Sequence, residues 1–230
     1  MLKICSVYFK GFYTPDYVSN LYDGIRKHSN VPFQSVCISD TPVEADLVLP
    51  YNHYSNIKKH WHKLKFFSPL FANQNKNDDI IIMDIDQVIT NNFNDILNYN
   101  INDGELLTYN AWWDNKLKKN GGFYKFKSGT LNHVWDDFAL NPEYWQSYYY
   151  NNGIVHKKYY GEQNYVYDKV KNIKTLPGEW LYKHTDNFKE KLELEKMYCS
   201  KFNTDYAIMG ETNKYIKVIH YAGPGKIINE

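Results

Sequence analysis

Two carboxylates directly follow a strongly apolar segment of the sequence. Residues 80–86 read IIIMDID, so Asp84 and Asp86 come at the end of a predicted buried strand. Alternate residues of a strand point to the same side, which would bring the two carboxylates together. Two such charges about 4 Å apart repel by ~4 kcal/mol at an effective dielectric constant of ~20. A divalent cation would offset this repulsion, and oxygen ligands of this kind favour Mg²⁺ or Mn²⁺.

A simpler interpretation needs no metal: one aspartate caps the following turn and the other is solvated. The DxD motif alone is too short to decide between the two. Because the strand before it is apolar on both faces, the metal interpretation gains weight.

A second segment with useful chemistry lies far along the chain, at residues 219–226, IHYAGPGK. His220 could complete a mixed oxygen–nitrogen site suited to Mn²⁺. Gly223 and Gly225 free the backbone to approach a ligand, and Lys226 offers a charge suited to phosphate. Taken singly, His220 would be a hydrogen-bonded core histidine and Lys226 a solvated lysine. Taken with the DxD motif, they predict one site for a metal ion and a diphosphate.

The first half of the sequence predicts the elements that would position these groups. The order is β-α-β-β-α-β, with predicted strands at 2–9, 33–40, 46–50 and 79–86, and helices from Thr14, with Pro15 in its first turn, and over 55–67. This order predicts an α/β fold, a Rossmann-like domain whose central, mainly parallel sheet has helices on both faces. Ligands of such sheets bind outside the carboxyl ends of the strands, where Asp84 and Asp86 lie.

The second half has a less regular pattern. It predicts strands at 105–113, 121–126 and 217–223, and helices at 128–140, 142–150 and 162–171, with Ser128 capping the first of these helices. The sequence contains no internal repeat and no linker, which indicates one domain over residues 1–230. Within it we expect a nucleotide-binding half (1–100) and a half that completes the acceptor and metal sites (101–230).

Composition excludes several classes of protein. The chain has 230 residues, 43% of them apolar, and a formal net charge of +1, which argues against a nucleic-acid-binding protein. The three cysteines lack the spacing of a disulfide framework or a zinc site, and we expect Cys5 and Cys37 to be core residues. The N-terminus does not resemble a signal peptide and no apolar run is long enough to span a membrane, so we expect no membrane segment and no anchoring tail after Glu230. These features predict a soluble, cytoplasmic protein in a reducing compartment.

Four segments, in order, carry a resemblance to a known family. They are WHKLKFFSP (61–69), MDIDQVI (83–89), GEQ (161–163) and HYAGPGK (220–226). The chain resembles the GT-A fold glycosyltransferases, and is most similar to the glycogenin-like and lipopolysaccharide galactosyltransferase-like enzymes of glycosyltransferase family 8. The final HxxGxxK pattern after a DxD motif is the most specific part of this resemblance.

The resemblance implies a metal-dependent transfer of sugar from a nucleotide sugar, UDP-linked, to a glycan or other hydroxyl acceptor, with retention of configuration. The implied metal, Mn²⁺ or Mg²⁺, would be held by Asp84, Asp86 and His220. The implied catalytic groups on the sugar side are Glu162 and Gln163. The implied donor-binding residues are Val7, Tyr8, Asp40, Lys63, Asp84, Gly223 and Lys226.

The sequence also departs from the family pattern. The family has an Asn-x-Gly sequence before the helix that follows the DxD motif, and KFKSGT (125–130) places Lys127 at the Asn position. This substitution puts the usual sugar contact in question. Ile227 and Ile228 replace the Pro-Trp pair that usually follows the final lysine.

Several assignments keep a structural alternative. Tyr8 could stack on a base or fill the core, Lys63 could be solvated, and Glu162 could be favoured by a helix N-terminus. At most one of Trp112 and Trp113 should be buried, and the other could face a sugar. The aromatic residues around 144–150 and 159–160 could line an acceptor groove or fill a core.

Two other functions fit parts of the sequence. Haloacid dehalogenase-like phosphatases also carry DxD after an apolar strand, with the first aspartate as nucleophile, but that motif normally opens the domain and a later acidic pair is missing here. A sugar-nucleotide or glycan-binding module without catalysis is the third alternative.

Overall fold

The computed structural model describes residues 1–11, 13–51, 56–204 and 213–221. The strands in these residues are β1 (Leu2–Tyr8), β2 (Gln34–Ser39), β3 (Leu47–Leu49), β4 (Asp79–Met83), β5 (Gln87–Ile89), β6 (Glu105–Asn110), β7 (Lys119–Lys127), β8 (Asn172–Thr175), β9 (Leu181–His184) and β10 (Val218–Tyr221). The α-helices are α1 (Asp16–His28), α2 (Asn94–Leu97), α3 (Asn132–Leu140), α4 (Pro142–Asn151), α5 (Glu162–Lys169) and α6 (Phe188–Phe202). Two 3₁₀ helices span Lys59–Phe67 and Gly178–Trp180.

Seven strands form one sheet in the order β3-β2-β1-β4-β7-β6-β8. β1 is parallel to both β2 and β4, β2 is parallel to β3, and β6 is parallel to β8. β7 alone among these seven runs the other way, antiparallel to β4 and β6. The predicted α/β fold with a mainly parallel central sheet is therefore confirmed.

Apolar side chains cover both faces of this sheet, as expected for parallel strands buried between helices. On one face Ile80 and Ile82 pack with Trp61 of the first 3₁₀ helix and with side chains of α3 and α5. On the other face Ile81 packs with side chains of α1 and α2. Alternate residues of β4 thus join different cores, which explains why its sequence is apolar throughout.

Cys5 and Cys37 are buried, one in each of these cores, and neither forms a disulfide. Trp112 is buried and donates a hydrogen bond from Nε1 to the Leu181 carbonyl oxygen at 2.7 Å, whereas Trp113 is half-buried. The expectation that at most one of these tryptophans is buried is confirmed. In the described ranges, no helix combines the length and apolarity needed to cross a membrane.

A second, three-stranded sheet, which the sequence pattern did not predict, has the order β5-β10-β9. β10 is antiparallel to β5 and parallel to β9, and His220 of β10 lies opposite Gln87 of β5. β5 follows the DxD motif directly. The small sheet therefore brings the late histidine next to the early aspartates.

The predicted strand over residues 79–86 is too long. β4 ends at Met83, and the backbone N–H of Asp84 donates to the Gly122 carbonyl oxygen at 3.0 Å as the chain leaves the sheet. Asp84 and Asp86 therefore stand on a turn between two strands of different sheets. Their proximity comes from this turn and not from the alternation of a strand.

Three helix starts also differ from the prediction. The helix predicted over 55–67 is a 3₁₀ helix that begins at Lys59, whose φ of 49° is left-handed, and Ser55 lies outside the described residues. The first α-helix begins at Asp16 after Pro15, without a side-chain cap from Thr14. α3 begins at Asn132, because Gly129 turns the chain with a φ of 85° after Ser128.

Lys65, in the first 3₁₀ helix, is buried, and its Nζ has no hydrogen-bond partner among the described residues. Burial lowers the pKa of Lys65 from 10.5 to about 8. A cation whose pKa is lowered by folding destabilises the native state fully below the folded pKa. The penalty disappears as the pH rises towards the unfolded value. The shift corresponds to roughly 3 kcal/mol.

Replacing Lys65 by methionine should therefore raise the free energy of unfolding by about 2–3 kcal/mol at pH 7. Urea denaturation at pH 7 and pH 10 would test this, and the gain over the parent should shrink at the higher pH. Lys76→Met, on an exposed lysine, is the control and should change stability by less than about 0.5 kcal/mol. An equal gain in the free energy of unfolding at both pH values would mean that removal of the buried charge is not the cause.

Candidate active site

A cavity of about 330 Å³ opens at the edge of the main sheet where β1 and β4 end and β7 begins. This is the edge at which ligands of α/β proteins bind. The residues that line it are Val7, Phe9, Tyr13, Lys59, His60, Lys63, Asp84, Ile85, Asp86, Asn120, Gly121, Gly122, Tyr160, Glu162 and Gln163.

Asp84, Asp86 and His220 form a group with the composition of a metal site. One potential ligand atom of each lies within 4.8 Å of the others. His220 Nδ1 is buried without a hydrogen-bond partner in the described part of the chain, and Asp86 Oδ1 has no neighbour of that kind there except His220 Nε2 at 3.3 Å. Buried polar atoms are normally paired, so these atoms mark a position where a ligand would satisfy them. Two carboxylates and an imidazole suit Mn²⁺, and the residues fit the implied ion.

Asp86 is held by partners from distant parts of the sequence. Its Oδ2 accepts a hydrogen bond from the Tyr13 hydroxyl at 2.9 Å, and its Oδ1 lies 3.3 Å from His220 Nε2. Burial alone would raise the pKa of Asp86, but His220 and Tyr13 outweigh it and the pKa falls below its usual value. Burial would also lower the pKa of His220, and Asp86 reverses this and raises it. The pair therefore stabilises a charged carboxylate at this position.

Lys63 is a buried cation next to the other aspartate. Its Nζ lies 2.5 Å from Asp84 Oδ1 and 3.8 Å from Glu162 Oε2, and donates to the Gly121 carbonyl oxygen at 3.1 Å. Burial would lower the pKa of Lys63, but the carboxylates of Asp84 and Glu162 outweigh it and raise the pKa. The lysine therefore carries its charge at neutral pH, and the solvated-lysine alternative does not describe it.

Glu162 is the least satisfied carboxylate of the cavity. It is 3% exposed, and its Oε1 has no hydrogen-bond partner within the described ranges. Burial, reinforced by the charge of Asp84, raises its pKa from 4.5 to about 7, while Lys63 opposes the shift. A carboxyl group with such a pKa, in a cavity, is typical of a functional site. Glu162 is also the first residue of α5, as the alternative interpretation of a helix N-terminal acid requires.

The backbone of β7 at Gly121 and Gly122 lines the cavity between the side chains of Lys63, Asp84 and Glu162. Gln163 Oε1 accepts a hydrogen bond from Gly121 N at 3.1 Å, and a Cβ at Gly121 would lie 2.7 Å from Gln163 Cβ and 2.5 Å from the Tyr124 hydroxyl. A Cβ at Gly122 would lie 2.9 Å from Gln87 Nε2. Glycine is therefore required at position 121, where the clash is with Gln163 Cβ, whereas the atoms nearest to a Cβ at position 122 are the ends of flexible side chains.

The structure brings most of the predicted site residues together. Val7 lines the cavity with Lys63, the DxD aspartates, Glu162 and Gln163.

Other predicted donor-binding residues lie elsewhere. Tyr8 is buried in the core and donates a hydrogen bond to the Tyr13 carbonyl oxygen at 3.0 Å, so its geometry supports the core alternative and not base stacking. Asp40 is exposed and accepts a hydrogen bond from Lys10 N at 3.3 Å, outside the lining of the cavity. Gly223 and Lys226 lie outside the described residues.

Lys127, placed above at the position of the family's sugar-contacting asparagine, is far from the cavity. Because β7 is antiparallel to β4, Lys127 pairs with Asp79 at the opposite end of β4, at an Nζ–Oδ1 distance of 2.6 Å. An Asn-x-Gly sequence does occur in the lining, as Asn120-Gly121-Gly122. The inference that Lys127 replaces the family's asparagine at the site was therefore wrong. Asn120 is the asparagine of the Asn-x-Gly sequence that lines the cavity.

Tyr13 was also missed, although it contacts Asp86. The sequence offered no signal for it, because it follows β1 in an irregular segment before α1.

Solved structures with the same fold match almost the whole chain. The glycosyltransferase GlyE of Streptococcus pneumoniae TIGR4 matches with a TM-score of 0.62 at 8% identity, over 96% of this chain and 55% of that one. The galactosyltransferase LgtC, in complex with donor and acceptor sugar analogs, matches with a TM-score of 0.61 at 13% identity, over 97% and 88%. Mouse xyloside xylosyltransferase 1 matches with a TM-score of 0.53 at 9% identity, over 96% and 97%.

The chain has the GT-A fold. The predicted resemblance to GT-A glycosyltransferases is confirmed at the level of this fold. No family model matches the sequence, and no curated protein matches it. Identities of 8–13% establish the architecture and not the substrate. This chain spans about half the length of GlyE. The reaction and the substrates of this chain are therefore proposed below.

Proposed function

We propose that this GT-A domain transfers a sugar from a UDP-linked donor to a hydroxyl group of a glycan or other acceptor, with retention of configuration and with Mn²⁺ or Mg²⁺ as cofactor. The observation that carries this proposal is the convergence of Asp84, Asp86 and His220 at a cavity that also holds a buried Lys63–Glu162 pair. Matches to glycosyltransferases over nearly the whole chain support it.

Asp84, Asp86 and His220 would hold the metal ion. When bound, the ion would neutralise negative charge on the diphosphate that leaves the sugar. Lys63 would add a fixed positive charge beside it, because Lys63 is buried and already ion-paired in the free protein. Groups that are oriented before the reaction stabilise developing charge without a further cost of reorganisation.

Glu162 and Gln163 are the proposed catalytic residues. As the bond to the diphosphate breaks, positive charge develops on the anomeric carbon. A carboxylate or an amide oxygen facing that carbon would stabilise it. Gln163 is oriented by its hydrogen bond from Gly121, and Glu162 is fixed beside Lys63.

His60 and Tyr160 form an aromatic wall of the same cavity. Their rings meet edge to face with centroids 5.6 Å apart. Burial lowers the pKa of His60 to about 3, so the imidazole is neutral at pH 7. The wall therefore adds no charge to the cavity, and it is the surface that we propose faces the transferred sugar or the acceptor.

Calorimetry with UDP tests the proposed function. UDP should bind with Mn²⁺ present and at least about tenfold more weakly with a chelator, because the ion neutralises the diphosphate. A nucleotide-sugar screen should then show metal-dependent hydrolysis or transfer. Equal UDP affinity with and without metal would contradict the proposal. Turnover of a phosphomonoester would favour the phosphatase instead, and binding without turnover would favour the binding module.

Lys226 is proposed to contact the leaving diphosphate. Lys226→Ala should lower turnover by roughly tenfold to a hundredfold, the effect of losing a charge-assisted hydrogen bond of ~1.5–3 kcal/mol. Lys226→Arg should restore part of the rate. Truncation after Gly225 should reproduce the alanine variant. Transfer at the parent rate by the truncated protein would show that this segment does not hold the diphosphate.

A further inference from the structure

A second cavity, of about 310 Å³, lies at the same edge of the main sheet. Asn110 at the end of β6, Thr175 at the end of β8 and Lys119 at the start of β7 contribute to its lining. Since β6 and β8 are parallel, their carboxyl ends meet here, as ligand sites in α/β sheets require. None of the residues discussed for the metal or the donor lines this cavity.

Three lysines give the second cavity a positive charge. Lys118, Lys119 and Lys201 line it together with a single carboxylate, that of Asp114. Asp114 Oδ1 already accepts two backbone hydrogen bonds, from residues 116 and 117, at 2.8 and 3.2 Å. Among the ion pairs of the described chain, none involves any of these three lysines. The cavity therefore holds more cationic charge than its own carboxylate balances.

The lysines are presented on ordered structure. Lys201 Nζ donates to the Trp112 carbonyl oxygen at 3.2 Å, and Lys119 Nζ lies 5.5 Å from the centre of the Tyr167 ring. The turn that carries Lys118 is closed by a backbone hydrogen bond from Ala111 N to the Lys118 carbonyl oxygen at 3.2 Å. The cations of Lys119 and Lys201 are therefore restricted before a ligand binds, which reduces the entropy lost on binding, whereas the Lys118 side chain is exposed.

The two cavities adjoin each other along β7. Lys119 lines the second cavity, while Asn120 and Gly121 line the first. Because successive side chains of a strand point to opposite sides, these neighbouring residues line two separate cavities at one edge of the sheet. A donor held at the metal group would occupy the first cavity, which leaves the second for the other substrate.

We propose that the second cavity binds an anionic group, a phosphate or a carboxylate, on the acceptor, and that the acceptor class is therefore acidic glycans or sugar phosphates. This inference rests on the proposed transferase function. Lysine ammonium groups bind such anions as point charges, and asparagine and threonine side chains add neutral donors. A neutral glycan would leave the lysines without a counter-charge.

Binding of small probes in the presence of a chelator tests the proposal independently of the donor. Glucose, glucose 6-phosphate and glucuronic acid would each be titrated by ligand-observed NMR. The phosphate or the acid should bind at least about tenfold more tightly than glucose. The tighter of the two identifies the source of the anion. The affinity should fall as salt is added, because the contact is between charges.

The double variant Lys118→Gln, Lys119→Gln should lose at least about tenfold in affinity for the tighter anionic probe. Lys116→Gln is the matched control, because Lys116 belongs to the same turn but not to the lining, and it should bind as the parent does. Loss in both variants alike, or in neither, would overturn the proposal, as would anionic probes that bind no better than glucose.

Calorimetry with UDP and Mn²⁺ on the same double variant separates this proposal from the proposed function. Unchanged UDP affinity, with the anionic probe lost, supports an acceptor subsite distinct from the donor site. If the parent fails to bind UDP while the anionic probe still depends on Lys118 and Lys119, the transferase assignment fails and the anion site stands. If UDP affinity falls together with the probe, the lysines belong to the donor site and the acceptor assignment is wrong.

Discussion

Replacing Asp84 or Asp86 by asparagine should lower turnover by roughly a hundredfold to a thousandfold and remove the effect of Mn²⁺ on UDP affinity. Each substitution keeps the size of the side chain and removes one negative charge from the group that includes His220. Asp103→Asn, on an exposed aspartate, removes the same charge elsewhere and should leave both measurements unchanged.

The two variants should differ in stability, which separates their roles. Asp84 is the nearest counter-charge of the buried Lys63, so Asp84→Asn should destabilise the protein even in chelator. Asp86 faces a histidine that can lose its proton, so Asp86→Asn should cost less. Thermal unfolding in chelator measures this difference. If Asp86→Asn retains full metal-dependent UDP binding, the ion is not held by this group.

Replacing Glu162 by glutamine should stabilise the protein at pH 8 while slowing transfer by roughly a hundredfold. The pKa of this buried acid is raised from 4.5 to about 7. Above pH 7 the native state bears the cost of the buried charge, and below pH 4.5 the group is neutral in both states. The cost at pH 8 is roughly 3 kcal/mol, and the gain of the variant should vanish as the pH falls towards 4.5.

Urea denaturation in chelator at pH 8 and pH 5 tests the stability of this variant. Glu193→Gln, on an exposed glutamate of α6, is the control and should behave as the parent at both pH values. A variant that is less stable than the parent at pH 8 would mean that Lys63 stabilises the carboxylate by more than burial costs. Undiminished transfer would remove Glu162 from the catalytic group.

The elements around β4 were predictable because local and global patterns agree there. A strand that is apolar on both faces must lie between helices, and the carboxyl end of such a strand is a ligand site. This reasoning located Asp84 and Asp86 at the ligand-binding edge, and the HYAGPGK segment, taken with the DxD motif, supplied His220, which the structure places beside them. It did not require knowledge of any partner strand.

Other parts of the site depend on partners that the sequence does not reveal. β4 ends at Met83 because Asp84 N bonds to Gly122 of β7, which is a contact between distant residues. The direction of β7 decides that Asn120, and not Lys127, lies at the cavity. Helix α6 was missed because its sequence, KEKLELEK, offers few apolar residues to the core, where Leu194 and Tyr198 alone are buried.

The three-stranded sheet has a consequence for how the protein is made. Asp84 and Asp86 are synthesised more than 130 residues before β10, which brings His220. Tyr221 N of β10 donates a hydrogen bond to the Asp86 carbonyl oxygen at 2.8 Å. Domains fold as units while the chain emerges from the ribosome, and until β10 has emerged the aspartates lack their third partner. During that interval Lys63, which precedes both of them in the chain, can serve as the counter-ion of Asp84. High affinity for the proposed metal ion would then be acquired only after the segment that carries His220 has been synthesised, and not when Asp84 and Asp86 first emerge.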